Sequence, residues 1–316
     1  MKIIFNKKPV WKPWGGGNQI LMLLCAYLVR RGHTISYSLD NDADVIVIID
    51  VKDASCTFTI KQLMDFKKRK NIKVIHRVND NGSHRKNNTE RSDESMILTN
   101  KMLADETIFI SEWLRQYYSQ RGLVINGSHV IQNATDRKLF YPDPSAIVRS
   151  HKDPIKIITH HWSSNMSKGF DIYDQLDRFC QDNPNVATFK FLGNYPDGLL
   201  KNCCKISPKP YKDIPPILMS EDVYVTSTQF ESGGCHIVEG MACGLIPIVR
   251  IGGGGTEEYS KGYGLYYSDF EGLKKHILSL YENYELFLEL RRKIRSDYVY
   301  DAREMCDNYF RIIRAC

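Results

Sequence analysis

The sequence contains no apolar run of the roughly 18–20 residues that a membrane-spanning helix requires. The longest apolar stretch, residues 20–29, is followed directly by Arg30 and Arg31. The pattern of a secretion signal is also missing, because only a short apolar patch precedes Lys7 and Lys8. We therefore expect a cytoplasmic protein that does not span a membrane.

Cysteine pairs with the Cys-x-x-Cys spacing are absent as well. The nine cysteines are an odd number, which does not suit a disulfide framework, and we expect them to be reduced thiols. The sequence has no internal repeat at a solenoid period and no low-complexity tract. Disulfide miniproteins, solenoids and disordered tails are therefore excluded.

The length and composition of the chain are those of a folded protein with two domains. It has 316 residues, and one domain commonly takes about 100–200. Hydrophobic residues make up 42% and charged residues 25%, close to the averages for soluble globular proteins. Composition alone indicates no function.

Positive charge is concentrated in the first half of the chain. Residues 1–150 hold 23 Lys and Arg against 15 Asp and Glu, a net charge of +8, whereas residues 151–316 hold 20 against 22, a net charge of −2. A basic surface attracts anionic partners, such as a phospholipid surface or a phosphate-bearing acceptor. We expect no nucleic acid partner. The basic half either contacts a membrane peripherally or is an ordinary solvated face.

Short runs of β-branched residues alternate with helical stretches along the whole chain, which is typical of α/β domains with parallel sheets. In the first half, strands are predicted at residues 2–5, 34–38, 45–51, 73–77, 106–110 and 129–132, and the first helix at about 18–31. In the second half, strands are predicted at 156–159, 188–192, 222–226 and 246–250, helices at 170–181, 235–243 and 270–281, and a helical tail from Tyr284.

A polar stretch with two prolines, residues 140–144, separates the two halves and suits a domain linker. We therefore predict a first Rossmann-like domain over residues 1–142 and a second over residues 143–283. The remaining residues, 284–316, form a C-terminal helical segment.

The most informative motif covers residues 231–239, Glu-Ser-Gly-Gly-Cys-His-Ile-Val-Glu, between a predicted strand and a predicted helix. Backbone amides of Gly233, Gly234 and Cys235 then lie at a helix N-terminus, where unpaired N–H groups and the helix dipole attract phosphate. The carboxylates of Glu231 and Glu239 accept strong hydrogen bonds from sugar hydroxyls. The motif predicts a diphosphate site; the alternative is a glycine-rich turn with a capping Glu.

This stretch resembles the Glu-x7-Glu signature of the retaining GT-B glycosyltransferases of family 4. Other stretches resemble the family in the same order: the glycine loop before residue 18, Ala104-Asp105 to Ser111, Ile131 to Pro142, Lys168-Gly169, and Gly254 to Glu258. The resemblance implies an α/β protein of GT-B architecture with two facing Rossmann-like domains and parallel sheets. It also implies a C-terminal segment that crosses back to the first domain, and transfer without a metal ion or cofactor.

The resemblance implies that Lys168 contacts the donor diphosphate, Glu231 the transferred sugar and Glu239 the nucleotide ribose. Further contacts to the nucleotide-sugar are predicted in the same stretch and in nearby loops: Ser232, Gly233, Gly234, Cys235, His236, Gly193, Asn194 and Lys209. Gly15, Gly16 and Gly17 would let the backbone approach the donor phosphates or the acceptor, although three glycines also suit a plain flexible turn.

One departure from the family is the lack of an Arg about six residues before the Lys-Gly pair. His161, which we include among the catalytic candidates, Ser163 or Asn165 would contact phosphate instead, or Arg77 of the basic first half would reach the site. The alternative for the pair of His160 and His161 is a strand end that packs beneath the site. No nearby Cys or carboxylate spacing completes a metal site there.

A second departure is Asn79, which stands where the family often has a His. Asn cannot transfer a proton near neutral pH. Either His76 or Asp80 serves the acceptor, or the acceptor hydroxyl is held by hydrogen bonds and loses its proton to the leaving phosphate. Arg77, Asn79 and Asp80 are therefore predicted to bind substrate, and residues 79–90 form either an acceptor-binding segment or an ordinary loop. No protein nucleophile is predicted.

The sequence thus predicts a retaining, metal-independent glycosyltransferase of the hexosyltransferase type. Its substrates are a nucleoside-diphosphate sugar, bound mainly by the second domain, and a glycan, lipid-linked or anionic acceptor on the first. The main alternative is a non-catalytic nucleotide-sugar-binding relative, and a sugar-nucleotide epimerase is a third. A nicotinamide dehydrogenase is disfavoured because the glycines at 15–17 do not form Gly-x-Gly-x-x-Gly.

Overall fold

The computed structural model describes residues 1–11, 15–51, 56–82, 91–123, 128–144 and 149–316. The predicted acceptor-binding segment covers residues 79–90, and its part from residue 83 onward lies outside these ranges. The chain divides into two compact units. The first comprises Met1–Trp11, Gly16–Asn133 and Asp301–Cys316, and the second comprises Ala134–Tyr300 together with Gly15.

The first unit is built on a parallel six-stranded sheet with the strand order β2-β1-β3-β4-β5-β6. All four residues of β3 are buried, as expected for a central parallel strand covered on both faces, which explains its unbroken Val-Ile-Val-Ile run. The elements, in chain order, are β1 (Lys2–Phe5), α1 (Gly16–Arg30), β2 (Thr34–Ser36), β3 (Val45–Ile48), α2 (Ile60–Lys70), β4 (Lys73–Val78), α3 (Arg91–Leu103), β5 (Glu106–Phe109), α4 (Glu112–Ser119) and β6 (His129–Val130).

The second unit repeats this plan with the strand order β12-β11-β10-β7-β8-β9, again all parallel. The elements are β7 (Ile155–His161), α5 (Phe170–Asp182), β8 (Ala187–Gly193), β9 (Cys204–Ile206), α6 (Pro215–Met219), β10 (Val223–Thr226), α7 (Cys235–Ala242), β11 (Ile246–Arg250), α8 (Gly255–Ser260), β12 (Leu265–Tyr267), α9 (Phe270–Glu282) and α10 (Tyr284–Asp297). Because the chain runs outward from β7 in one direction and from β10 in the other, the strand order reverses between these two neighbours.

The last helix, α11 (Ala302–Ala315), belongs to the first unit. Arg31 of α1 pairs with Asp307 at 2.9 Å, and the ring of Phe310 lies 4.9 Å from the ring of His33. The tail that the sequence places as one segment from Tyr284 is therefore divided, since α10 packs with the second unit and α11 with the first.

The observed unit boundaries follow Asn133 and Tyr300, whereas the sequence places them after residues 142 and 283. The physical reason is burial. Phe140, Ile294 and Tyr298 all lie in one hydrophobic cluster of the second unit. The proline-rich stretch around residue 142 is thus the edge of a packed core rather than a free linker.

The predicted α/β class with two parallel sheets is confirmed. Each predicted strand is present, and its ends differ by at most three residues. The sequence analysis missed β9 and β12, which are edge strands of three residues each. No helix of the described ranges combines the length and the apolar character that crossing a bilayer would need.

A buried ion pair holds α10 to the start of β10. The guanidinium of Arg291 donates to the carboxylate of Asp222, and both side chains are buried. Asp222 also accepts the backbone N–H of Lys156 at 3.1 Å. Arg291 is thus the cation that pairs directly with this carboxylate.

We predict that Arg291→Leu lowers the free energy of unfolding by about 3–5 kcal/mol, because it leaves a buried carboxylate without its cation. Urea denaturation measures this loss. The control is Lys274→Leu, which breaks the exposed pair with Glu271 and should cost less than about 1 kcal/mol. Equal losses in the two variants would contradict the assignment.

Candidate functional site

The candidate site of the second unit lies at the carboxyl ends of β7 and β10. In open parallel sheets, ligands bind at the carboxyl ends of strands where the strand order reverses, since the connections diverge there and leave a crevice. β7 leads into the turn that carries Lys168, and β10 leads into the segment that carries Glu231. Two of the three predicted catalytic side chains, those of Lys168 and Glu231, therefore lie on the segments that follow the two strands at the reversal.

A glycine seats the turn of Lys168 against the segment after β10. Gly169 has φ +89°, and a Cβ at this position would lie 2.2 Å from the Cβ of Ser227. The carbonyl of Ser167 also accepts the N–H of Gln229 at 2.9 Å. No residue with a side chain fits at 169 without moving this segment, so packing requires the glycine of the Lys-Gly pair.

The side chains of Lys168 and Glu231 form an ion pair between Nζ and Oε2. They are 22% and 19% exposed, so the pair is shielded and still accessible from solvent. The backbone of Glu231 is fixed on both sides, because its N–H donates to the carbonyl of Gly253 and its carbonyl accepts the N–H of Gly255. A rigid backbone thus presents one cation and one anion at the same place.

Helix α7 begins directly after this segment. The residue before it, Gly234, has no side chain that could cap the first turn, and the first turn contains no acidic residue. A Cβ on Gly234 would lie 2.7 Å from Cγ2 of Thr256, so the glycine is needed for close packing. Ser232, Gly233 and Gly234 are buried, and Cys235 is half-buried. The positive end of the helix dipole therefore adds to the charge of Lys168 in attracting an anion.

The second glycine-rich segment, after β11, has a structural role in this site. The carboxylate of Glu257 accepts the N–H groups of Gly252 and Gly254 at 2.8 and 3.3 Å. Because these two N–H groups donate to a carboxylate of the protein, they are not available to a ligand. The segment supports Glu231 instead, through the backbone bonds of Gly253 and Gly255.

Glu239 lies on α7 and is 6% exposed. Its Oε2 accepts a hydrogen bond from Nε2 of His160, at the carboxyl end of β7, over 2.7 Å. His160 is also buried. From the sequence, His160 is predicted only as half of a His-His pair, although its position at the end of a predicted strand could have indicated a place in the site.

Two further histidines, His161 and His236, contact hydroxyl groups near the site and are uncharged. Nε2 of His161 lies 2.7 Å from the hydroxyl of Tyr173, and Nε2 of His236 lies 3.1 Å from the hydroxyl of Thr226. Burial lowers the pKa of His161 well below its ordinary value and lowers the pKa of His236 to about 3. Both rings are therefore neutral at pH 7, and His161 supplies no positive charge to a phosphate.

Other predicted residues of the second unit lie near the same strand ends. Gly193 ends β8, and a Cβ there would lie 1.9 Å from the carbonyl oxygen of His161. Asn194 is exposed, and its side chain donates to the carbonyl of Trp162 at 2.9 Å. Lys209 is half-buried in the segment between β9 and α6. Gly193 and Asn194 thus lie beside the end of β7.

Ser163 and Asn165, two of the alternatives to the missing Arg, lie in the turn after β7. The N–H of Asn165 donates to the hydroxyl of Ser163, and Oδ1 of Asn165 accepts the N–H of Ser167. These two side chains shape the turn that leads to Lys168. Within the described residues, no group of three or more His, Cys, Asp or Glu is arranged to hold a metal ion.

Arg77 lies inside the first unit and is 1% exposed. Its Nε donates to the hydroxyl of Tyr309 and its Nη2 to Oδ1 of Asn133, each over 2.9 Å. The guanidinium thus ties α11 to β4. Its Nη1 has no hydrogen-bond partner among the described residues but is buried as well, so contact with a ligand would require this side chain to become exposed.

The other predicted residues of the first unit lie at the ends of β1 and β4. Gly16 and Gly17 open α1, directly after Gly15. A Cβ on Gly17 would lie 3.9 Å from Nδ2 of Asn79, so these two predicted residues are neighbours. Asn79 donates to the carbonyl of Ile49 at 3.2 Å and is half-buried.

His76 and Asp80 differ in their access to solvent. His76 is buried, burial lowers its pKa to about 3, and its Nδ1 lies 3.0 Å from the side-chain nitrogen of Asn100. Asp80 is half-buried beyond the end of β4, and its carbonyl accepts the hydroxyl of Tyr118. Of these two acceptor-side candidates, His76 is therefore a residue of the core.

Comparison with known proteins relates this architecture to glycosyltransferases. Residues 196–298 match the family "Glycosyl transferases group 1", and no curated protein matches the chain. HepE of Anabaena, solved with UDP and glucose, is 16% identical over 100% of both chains, with a TM-score of 0.78. Sucrose-phosphate synthase of Thermosynechococcus elongatus is 14% identical over 99% of this chain and 98% of that one, with a TM-score of 0.71.

A third solved structure, the pneumococcal O-GlcNAc transferase GtfA with UDP and GlcNAc, is 13% identical over 86% of this chain and 56% of that one. Its TM-score is 0.64. The chain thus has the GT-B fold, as the resemblance of its motifs led us to expect.

The first prediction for the site concerns the glycine that seats Lys168. Gly169→Ala should lower the free energy of unfolding by about 3 kcal/mol or more, because it adds a clash to the roughly 1–2 kcal/mol that a left-handed backbone costs a residue with a side chain. Gly198→Ala is the matched control, since Gly198 has φ +81° and open space around it. Urea denaturation compares the two, and equal losses would contradict the packing role.

The second prediction concerns pH. An unfolded histidine takes up a proton near pH 6.5, whereas the folded His236 stays neutral down to about pH 3. Protons therefore favour the unfolded state between these values, and the stability present above pH 6.5 decreases as the pH falls. His236→Gln should remove about 2 kcal/mol of the stability lost between pH 7 and pH 5.

Urea denaturation at the two pH values measures this difference. His151→Gln, the same substitution at an exposed histidine, is measured in parallel as the control. An unaltered pH dependence in His236→Gln would show that this ring is not held neutral.

Proposed function

We propose that the protein is a retaining glycosyltransferase that takes a sugar from a UDP-sugar donor. The observation that carries the proposal is the pairing of Lys168 with Glu231 beside the start of α7, at the strand-order reversal of the second unit. The group 1 match covers Glu231, Glu239 and the whole of α7. UDP is proposed as the nucleotide because HepE and GtfA, which share the fold, were solved with UDP.

The donor diphosphate is proposed to lie at the start of α7 and to contact Lys168. An ammonium group is a compact charge that suits a phosphate oxygen. On binding, the phosphate replaces the carboxylate of Glu231 as the partner of Lys168, and the carboxylate is then available to accept hydrogen bonds from the hydroxyls of the transferred sugar. The ion pair thus keeps both groups in place before the donor arrives.

In the proposed reaction, the bond between the anomeric carbon and the diphosphate oxygen breaks, and a bond to the acceptor oxygen forms on the same face. The proton of the acceptor hydroxyl passes to the departing diphosphate, so no protein base is required. Negative charge develops on that diphosphate, and Lys168 and the helix dipole stabilise it. Glu239 is proposed to bind the ribose hydroxyls of the nucleotide.

The acceptor is proposed to bind the basic first unit, at the ends of β1 and β4 where Gly17 and Asn79 are neighbours. The net charge of +8 over residues 1–150 favours a glycan or lipid-linked acceptor with anionic groups, and contact with a membrane surface. We further propose that the enzyme works in the cytoplasm and needs no metal ion, since Lys168 supplies charge for the diphosphate.

We predict that Lys168→Ala slows release of UDP from UDP-glucose by about a hundredfold or more, the usual scale for one contact to a developing charge. The assay measures UDP released by transfer to an acceptor panel, or to water. Calorimetry with UDP should show weaker binding by the same variant. Lys201→Ala is the control, because Lys201 is an exposed lysine of the same unit.

Wild-type rates and UDP affinity in Lys168→Ala would contradict the proposed diphosphate site. UDP binding by the wild type with no turnover of UDP-glucose or UDP-GlcNAc would instead favour a non-catalytic nucleotide-sugar-binding protein. Inversion of the anomeric centre in the product would contradict the retaining mechanism.

A further inference from the structure

The carboxylate of Glu239 is bonded to protein on one side only. It is almost completely buried, and burial of an ionised carboxylate is unfavourable unless hydrogen bonds compensate it. Its Oε2 accepts the hydrogen bond from Nε2 of His160. Across the described ranges of the chain, Oε1 accepts no hydrogen bond from a protein group. The carboxylate is thus anchored through one oxygen, and the other has capacity for a ligand.

The hydroxyl of Tyr224 contacts His160 at both its backbone and its ring. This hydroxyl accepts the backbone N–H of His160 at 3.1 Å and lies 3.0 Å from Nδ1 of the same residue. Because a carboxylate oxygen accepts, Nε2 of His160 carries the proton of the hydrogen bond to Glu239. The hydroxyl of Tyr224 thus holds the ring from the side opposite the carboxylate.

Packing fixes the positions of all three groups. The ring of Tyr224 on β10 lies against α7 so closely that a Cβ on Gly240 would be 2.5 Å from its Cδ2. The rings of Tyr224 and His160 meet edge to face, with centroids 5.5 Å apart. A continuous hydrogen-bonded chain therefore runs from β10 through His160 on β7 to Glu239 on α7.

We propose that His160 is a positioning residue that aims the second oxygen of Glu239 at the ribose hydroxyls of the donor. The inference rests on the proposed function and extends it to nucleotide selection. With His160 in place, a ribonucleotide satisfies the buried carboxylate, and a nucleotide without ribose hydroxyls leaves it unpaired. Sites built to bind a hydroxyl discriminate strongly against analogues that lack it, for this reason.

The test compares UDP with 2′,3′-dideoxy-UDP by calorimetry in the wild type, His160→Leu and His160→Gln. We expect His160→Leu to weaken UDP binding about 10- to 100-fold, the scale for loss of a hydrogen bond to a charged group, and to change dideoxy-UDP binding little. His160→Gln, which keeps an N–H donor, should retain most of the preference for UDP. An equal loss for both nucleotides in His160→Leu would overturn the inference, because it would indicate damage to the whole site.

A double-mutant cycle shows whether His160 acts through Glu239. In the background of Glu239→Gln, the change His160→Leu should weaken UDP binding no further, because the two residues act as one unit. Additive losses would overturn the positioning role. Failure of wild-type protein to bind either nucleotide would overturn the proposed function itself, whereas wild-type binding without a preference for UDP over dideoxy-UDP overturns only the present inference.

Discussion

The contact between Gly169 and the backbone of Ser227 is the constraint on which the site depends. It brings the turn after β7 and the segment after β10 close enough for Lys168 and Glu231 to pair. The pair lies at the carboxyl ends of β7 and β10, where the strand order reverses. The ion pair therefore depends on Gly169, because a side chain at this position would push the two segments apart.

Near this ion pair, the second unit contains neutral histidine rings that are held by hydrogen bonds. His161 and His236 are held neutral by burial, and His160 contacts a carboxylate. Neutral imidazoles fill the space under the site without repelling Lys168, and their hydrogen bonds to hydroxyls of Tyr173 and Thr226 fix their orientation. The positive charge assigned to the diphosphate thus comes from the lysine and the start of α7.

Much of the fold and part of the site follow from the sequence alone. The strands were predictable because buried parallel strands are continuous apolar runs, such as Val45–Ile48, bounded by turn residues. The motif at 231–239 identified the carboxylates and the helix start. Long-range contacts were not predictable: nothing in the local sequence shows that His160 meets Glu239, that Arg77 is buried under Tyr309, or that Tyr284 begins a helix of one unit and Ala302 a helix of the other.

A crystal structure of the protein with bound UDP would test the central claim most directly. We expect the diphosphate at the first turn of α7, within hydrogen-bond distance of Nζ of Lys168, with the carboxylate of Glu231 released from the lysine. A diphosphate bound elsewhere, with Lys168 and Glu231 still paired, would contradict it.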